Sequence, residues 1–255
     1  MRKRLVLGDI HGHDEFVREI YYKELPDDVI ILGDYCDSFT KTPKEIRSCW
    51  DTLLYMKEQH NKGEFHLLIG NHDLHYLYTS EQYSGKKKQT EDLMHDVLME
   101  AWENGILEPW FVDEKNKTIY SHAGITKTWI GDYGYNLNTK PSLYSLCFTY
   151  GNSFDVYGDD PANGPVWVRP YSLSKDCIDE YKQVVGHTVT KEPIVIANDG
   201  TRIMYDNTEK VNSDGRIILL DTLPFFYMFE KIDNNGNLVK REFKKFKELD
   251  PKYRQ

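Results

Sequence analysis

A chain of 255 residues with 40% hydrophobic and 29% charged side chains has the balance of a folded protein with a sizeable core, which excludes a disordered or fibrous chain. A formal net charge of −9 excludes the basic face of a general nucleic-acid binder, but not a phosphate site whose local charge is set by bound cations. The apolar runs are too short for a membrane span, and the four scattered cysteines contain no C-x-x-C pair, so reduced thiols in a cytoplasmic protein are expected. The N-terminal Met-Arg-Lys-Arg leads directly into a strand and reads as no signal region.

Leu5–Leu7 is a short apolar run that ends in Gly8-Asp9, and Glu15–Tyr22 then places Phe16, Val17, Ile20 and Tyr21 at helical spacing. Val29–Leu32 is a second such run, again ending in Gly-Asp. Thr42, Pro43 and Glu45 give a helix start, followed by an apolar stripe of Ile46, Cys49, Trp50, Leu53 and Leu54. Phe65–Ile69 ends in Gly-Asn-His-Asp. Lys86–Lys88 reads as a solvated basic loop, and Thr90 as the opening of a second long helix carrying Met94, Leu98, Ala101 and Trp102. Thr118–Tyr120 ends in Ser-His-Ala-Gly. Residues 133–165, rich in Gly, Asn, Tyr and Pro, show no periodicity and are expected to form a substrate-rim insertion. Gln183–Val185 precedes Gly186-His187-Thr188. Ile194–Ile196, Arg202–Tyr205, Arg216–Leu220 and Phe225–Phe229 are expected to be antiparallel strands. Asn234–Asn237 signals a hairpin, and Lys240–Lys247 reads as a solvated terminal face. No repeat or linker divides the chain, so one domain spanning 1–255 is expected. Alternating strands and helices followed by strands indicate an α/β fold of two packed sheets with helices outside.

Five of these strand ends share one punctuation: Gly8-Asp9-Ile-His11-Gly12, Gly33-Asp34-Tyr-Cys-Asp37, Gly70-Asn71-His72-Asp73, Ser121-His122-Ala-Gly124 and Gly186-His187-Thr188. Ligand sites of open α/β sheets lie beyond the carboxyl ends of the strands, and glycine lets the backbone turn close to a ligand there. A donor set of carboxylate, imidazole and amide oxygen without cysteine suits Mn²⁺, Fe²⁺ or Zn²⁺. Two carboxylates and three histidines exceed the needs of one ion and are enough for two that share a carboxylate. Such a pair brings a bridging water toward neutral pKa, which suits hydrolysis of phosphate esters.

In the order and residues of these motifs the chain resembles the calcineurin-like metallophosphoesterases. It is most similar to the branch holding the serine/threonine protein phosphatases and the symmetrical bis(5'-nucleosyl)-tetraphosphatases. The resemblance implies a four-layer αββα sandwich of two mixed sheets. It implies that Asp9, His11 and Asp34 hold one divalent ion and that Asp34, Asn71, His122 and His187 hold a second, with manganese expected and iron or zinc the alternatives. It further implies that His72 donates a proton to the leaving oxygen, that Asp37 orients it, and that Arg169, in Val-Trp-Val-Arg-Pro, grips phosphate oxygens alongside Asn71 and His72.

The substrate signal is divided. Asp37 is the aspartate typical of the protein phosphatases, but Ser38-Phe39 stands where those enzymes carry Arg-Gly, so one phosphate-binding arginine is missing. "GNHDLHYL" and "SHAGIT" look like the tetraphosphatase branch instead. A phosphomonoesterase acting on phosphoproteins or small esters is the first expectation, and a dinucleoside tetraphosphate hydrolase the alternative. The Gly-His-x-His ending of the nuclease branch is missing, since Thr188 and Val189 follow His187. A non-catalytic metal-binding module would be expected to have lost a ligand or the acid, and none is lost. His13, His75 and Cys36 read as support or filler beside the motifs, and His60, His66 and His95 as structural. The tyrosines of 133–165 read equally well as a stacking rim or as a lid.

Overall fold

Three apolar runs of the N-terminal half form neighbouring parallel strands in a computed structural model, which describes residues 1–80, 83–149, 159–197, 200–204, 215–222 and 225–246. These are β1 (Arg2–Leu7), β2 (Asp28–Ile31) and β3 (Phe65–Leu68), extended by the short parallel β4 (Leu107–Glu108). On the other side of β1 lie β11 (Phe226–Ile232), antiparallel to it, and β12 (Leu238–Lys245), antiparallel to β11 across the Asn234–Asn237 turn. Strand alternation sorts this six-stranded sheet into two apolar faces. Leu5, Leu7, Val29, Ile31, Phe65 and Leu67 point to one side and pack under helices; Val6, Ile30 and Leu68 point to the other and meet the second sheet.

The covering helices are α1 (Asp14–Glu24), α2 (Pro43–Gln59), the short α3 (Asn71–Leu77) and α4 (Lys88–Glu103). The predicted start of α2 is a complete capping box: Thr42 accepts from the Glu45 N–H, and the Glu45 carboxylate accepts from the Thr42 N–H at 2.8 Å. The start of α4 differs from expectation. Thr90 is buried in the first turn and does not cap it; the helix enters at Lys87, whose N–H donates to the Tyr76 hydroxyl at 3.1 Å.

The second sheet contains, in spatial order, β5 (Trp110–Asp113), β6 (Thr118–Ser121), β7 (Lys182–Val185), β10 (Gly215–Leu219), β8 (Ile194–Ala197) and β9 (Arg202–Met204). β7 runs parallel to both β6 and β10, so β10, expected to be antiparallel, is antiparallel only toward β8. The physical reason is the long connection between β6 and β7, carrying α5 (Lys127–Tyr133) and α6 (Pro170–Asp176), which returns the chain in the same direction. The carboxyl end of β7 thereby meets the same rim as β1–β3. α6 and the apolar side chains Val185, Ile196, Ile217 and Leu219 close the outer face of this sheet, so the order of layers is helix, sheet, sheet, helix.

Within 133–165 the described residues form, beyond the end of α5, one turn of 3-10 helix at Tyr144–Leu146; residues 150–158 of the expected insertion, and Tyr205, lie outside the described residues. Lys240–Lys247 is not simply a solvated face. Arg241 is 3% exposed and donates to Glu230 at 2.7 Å, within a buried polar cluster between the sheets that also holds Arg4, Asp113 and Tyr120. Among the described residues no helix is long and apolar enough to cross a membrane. The four cysteines are buried free thiols.

Candidate active site

The carboxyl ends of β1, β2, β3, β6 and β7 converge. The backbone there is under local constraint: His11, Asp34, Asp37 and His187 all adopt the left-handed region, with φ of 46°, 53°, 53° and 62°. Non-glycine residues are uncommon in that region and cluster at functional sites, where the surrounding structure holds them. Two glycines make the approach possible, since a Cβ on Gly70 would collide with the Asp34 carboxylate and one on Gly186 with that of Asp9.

Asp9, His11 and Asp34 bring one donor atom each within 4.8 Å of the others. Asn71 Oδ1 lies 2.8 Å from His122 Nε2 and 2.9 Å from His187 Nδ1, which defines a second cluster. Asp34 Oδ2 stands between the two, 3.7 Å from His11 Nε2 and 3.5 Å from His122 Nε2. Each imidazole is oriented from behind by a backbone carbonyl. His11 Nδ1 lies 2.6 Å from the Asp37 carbonyl oxygen, His122 Nδ1 is 3.0 Å from that of Leu32, and His187 Nε2 is 3.1 Å from that of Trp167. A carbonyl can only accept, so these nitrogens carry the proton and the other nitrogen of each ring presents a lone pair to the cluster. Burial, with neighbouring positive charge, holds all three rings neutral: His11 is pulled down to about 4, and His122 and His187 fall well below the ordinary histidine value.

This donor set fits divalent cations. It offers neutral imidazole nitrogens, an amide oxygen and buried carboxylates, none of which is committed to a lysine or arginine by an ion pair among the described residues. Burial and mutual repulsion push Asp9 well above the usual carboxylate range, and burial carries Asp34 up to about 8, which is the strain that a cation relieves. Asp9, His11 and Asp34 could hold one ion, and Asp34, Asn71, His122 and His187 a second.

His72 follows Asn71 at the start of α3. Its N–H donates to Asp34 Oδ1 at 2.9 Å, and its Nδ1 donates to Asp37 Oδ2 at 2.8 Å. Burial pulls its pKa down, but Asp34 and Asp37 outweigh that and raise it to about 9. Helical spacing sets His72, His75 and Tyr76 on one face of α3, around Asp37. His75 Nε2 approaches Asp37 Oδ2 at 2.7 Å, at an angle too bent for a good hydrogen bond, and the Tyr76 hydroxyl donates to Asp37 Oδ1. These contacts overcome burial and hold Asp37 well below the usual carboxylate range. Arg169, the residue before α6, donates to the His187 carbonyl at 3.0 Å and the Thr188 hydroxyl at 3.2 Å. Its side chain lines the same cleft, of about 270 Å³, as the two donor clusters.

Three further residues of this cleft escape the sequence reading. Asp221, at the carboxyl end of β10, hydrogen-bonds Asp9, and burial pushes it up to about 7. Its signal is an apolar run ending in aspartate, Ile217–Asp221, without the glycine or serine that marks the five other strand ends. Lys87, read as part of a solvated loop, lines the cleft. Phe39 is 92% exposed at the mouth. The tyrosine rim takes a different form. Tyr133 and Tyr135 stack on each other and pack against Trp129, away from the cleft lining, while Tyr150 and Tyr157 lie outside the described residues. His13 joins Glu15 and Thr40, and His60, His66 and His95 make structural hydrogen bonds.

This fold carries at one rim a donor set that fits a pair of divalent cations. The model of the calcineurin-like phosphoesterase family matches residues 2–191, and the chain belongs to that family. Among curated proteins it is similar to the symmetrical bis(5'-nucleosyl)-tetraphosphatases of Salmonella paratyphi C, 31% identical over 132 residues, and of Salmonella typhimurium, 30% identical over 132 residues. Each match covers 49% of this chain and 44% of the relative. Among solved structures, Yfce, a phosphoesterase from E. coli, aligns over 94% of this chain and 97% of its own at a TM-score of 0.37 with 14% identity. At that distance the likeness adds nothing to the assignment.

Proposed function

We propose that the protein hydrolyses dinucleoside polyphosphates through a pair of divalent ions held by Asp9, His11, Asp34, Asn71, His122 and His187. The observation that carries the hydrolytic reading is Asp34 Oδ2, shared between two histidine-bearing donor clusters, with His72 held beside them by Asp37. When bound, the ions activate water and neutralise phosphoryl oxygens. The chain's own residues do the rest. Arg169, tethered to the His187 loop, offers its guanidinium to the phosphate as charge develops. His72 presents its remaining N–H to the oxygen that departs as the P–O bond breaks, and Asp37 keeps the ring turned toward it.

The dinucleotide reading stands ahead of a phosphoprotein phosphatase for three reasons. The curated relatives are tetraphosphatases, Ser38 replaces an arginine typical of the protein phosphatases, and the exposed ring of Phe39 at the mouth suits stacking of a base. The test is side-by-side hydrolysis of diadenosine tetraphosphate and a phosphothreonine peptide by the protein reconstituted with Mn²⁺. The expected result is kcat/KM about tenfold or more higher for the dinucleotide, with two equal nucleotide products. Preference for the peptide would overturn it.

A further inference from the structure

The loop before α4 packs on the proton-donor side of the cleft. A Cβ on Gly85 would lie 3.0 Å from Asp37 Oδ2, and the Lys87 N–H donates to the Tyr76 hydroxyl that itself donates to Asp37. The Lys87 backbone is thus tied to the residues that hold His72. Its side chain reaches the cleft, and Nζ donates to the Ser38 carbonyl at 3.1 Å, the residue directly after Asp37. Among the described residues lining the cleft, the lysines and arginines are Lys87 and Arg169. They are anchored to different loops, Arg169 to His187–Thr188 and Lys87 to Ser38.

A backbone carbonyl satisfies one of the three ammonium donors and leaves two for a ligand. In hydrolysis with His72 as proton donor, the group expelled leaves on the His72 side. A leaving group that is a plain alcohol brings no charge to that side, whereas one that carries its own phosphate brings an anion. We propose that Lys87 binds a phosphate of the leaving group, and that the enzyme is built for substrates whose leaving group is itself phosphorylated. This rests on the hydrolytic reading above and narrows its substrate class on evidence independent of the relatives' names. It also supplies a cation beside Ser38, where the sequence lacks one.

The test is Lys87→Met, which removes the charge and keeps the backbone N–H that bonds Tyr76. Three substrates are compared in the Mn²⁺-reconstituted protein: diadenosine tetraphosphate, inorganic triphosphate and p-nitrophenyl phosphate. The first two have phosphorylated leaving groups and the third does not. The expected result is a loss of about tenfold or more in kcat/KM on the first two, carried by KM, against less than about threefold on the third. Lys87→Arg should recover most of the loss, and rising ionic strength should narrow the gap between wild type and Lys87→Met. Equal losses on all three would make Lys87 a structural support and overturn the proposal, as would no loss on any. A wild type that splits triphosphate but not the dinucleotide defeats the dinucleotide reading and leaves Lys87 tested. A wild type that splits only p-nitrophenyl phosphate defeats the subsite itself.

Discussion

The proton donor is only as well placed as the carboxylate behind it, and Asp37 has three partners on α3 besides its own loop. Tyr76 is the one that also joins the Lys87 backbone, so Tyr76→Phe removes two hydrogen bonds at once. The variant leaves Asp37 Oδ1 and the Lys87 N–H short of a partner, and a stability loss of about 1–3 kcal/mol is expected in urea unfolding. A looser Asp37 should also orient His72 less well. The turnover loss should therefore be about tenfold for an alkyl phosphate, which needs a proton on its leaving oxygen, and smaller for p-nitrophenyl phosphate, which does not. Equal loss on both would mean that Tyr76 serves only the fold. Individual residues of this rim were legible in proportion to how local their signal is. Asp9, Asp34, Asn71, His122 and His187 each follow a strand end marked by glycine or serine. Asp221 has the strand but not the glycine, and Lys87 reaches the cleft only because its loop folds across Asp37, which no spacing along the chain encodes.

Whole elements were legible where one period dominated. The stripe of α2 and its capping box needed no tertiary information, whereas β4, with two residues, is too short to show a pattern. The direction of β7 is not legible in its own residues, because strand polarity depends on how the preceding connection returns, and that connection is the irregular segment. Arg241 was misread because an alternating β12 with lysines on its open face hides one charged residue pointing inward. That side chain belongs to the polar cluster where β1, β11 and β12 meet β5 and β6. Asp113 accepts there from Arg4 at 2.9 Å and from Asn116 at 2.8 Å, and these bonds overcome burial and lower its pKa below the ordinary 3.8. A depressed carboxylate contributes stability that is fully present above its unfolded value and is lost as pH falls through its folded one. Asp113→Asn should then cost about 1–3 kcal/mol at pH 7. The gap from wild type should begin to narrow as the pH drops below about 4 and close only below the lower folded pKa. A gap that stays constant from pH 7 to 3 would show that the cost comes from packing rather than charge.

At the scale of the molecule, the two ends of the sheet–sheet interface are closed by different chemistry. Arg4, near the start of β1, lies in the ion cluster; Asp9, just past its end, lies in the rim. The rim draws Asp9, His11, Asp34 and Asn71 from loops of the first sheet, and His122, His187 and Asp221 from the second. Cations bound there would tie the sheets together at the end where buried carboxylates repel one another. Folding and metal binding should therefore be coupled, because ligands that converge from both sheets exist as a set only in the folded chain. At free metal about a thousandfold above Kd the expected stabilisation is about 4 kcal/mol per site. Stripping with a chelator should lower Tm, and Mn²⁺ should restore it with saturation at two ions per chain, read by metal analysis on the same samples. Asp34→Asn weakens the one ligand common to both clusters, so its Tm should respond much less to Mn²⁺ even where the variant folds normally. A wild-type Tm indifferent to chelation, or saturation at a single ion, would separate the two clusters into one metal site and one hydrogen-bonded group, and Asp34 would no longer be the link between them.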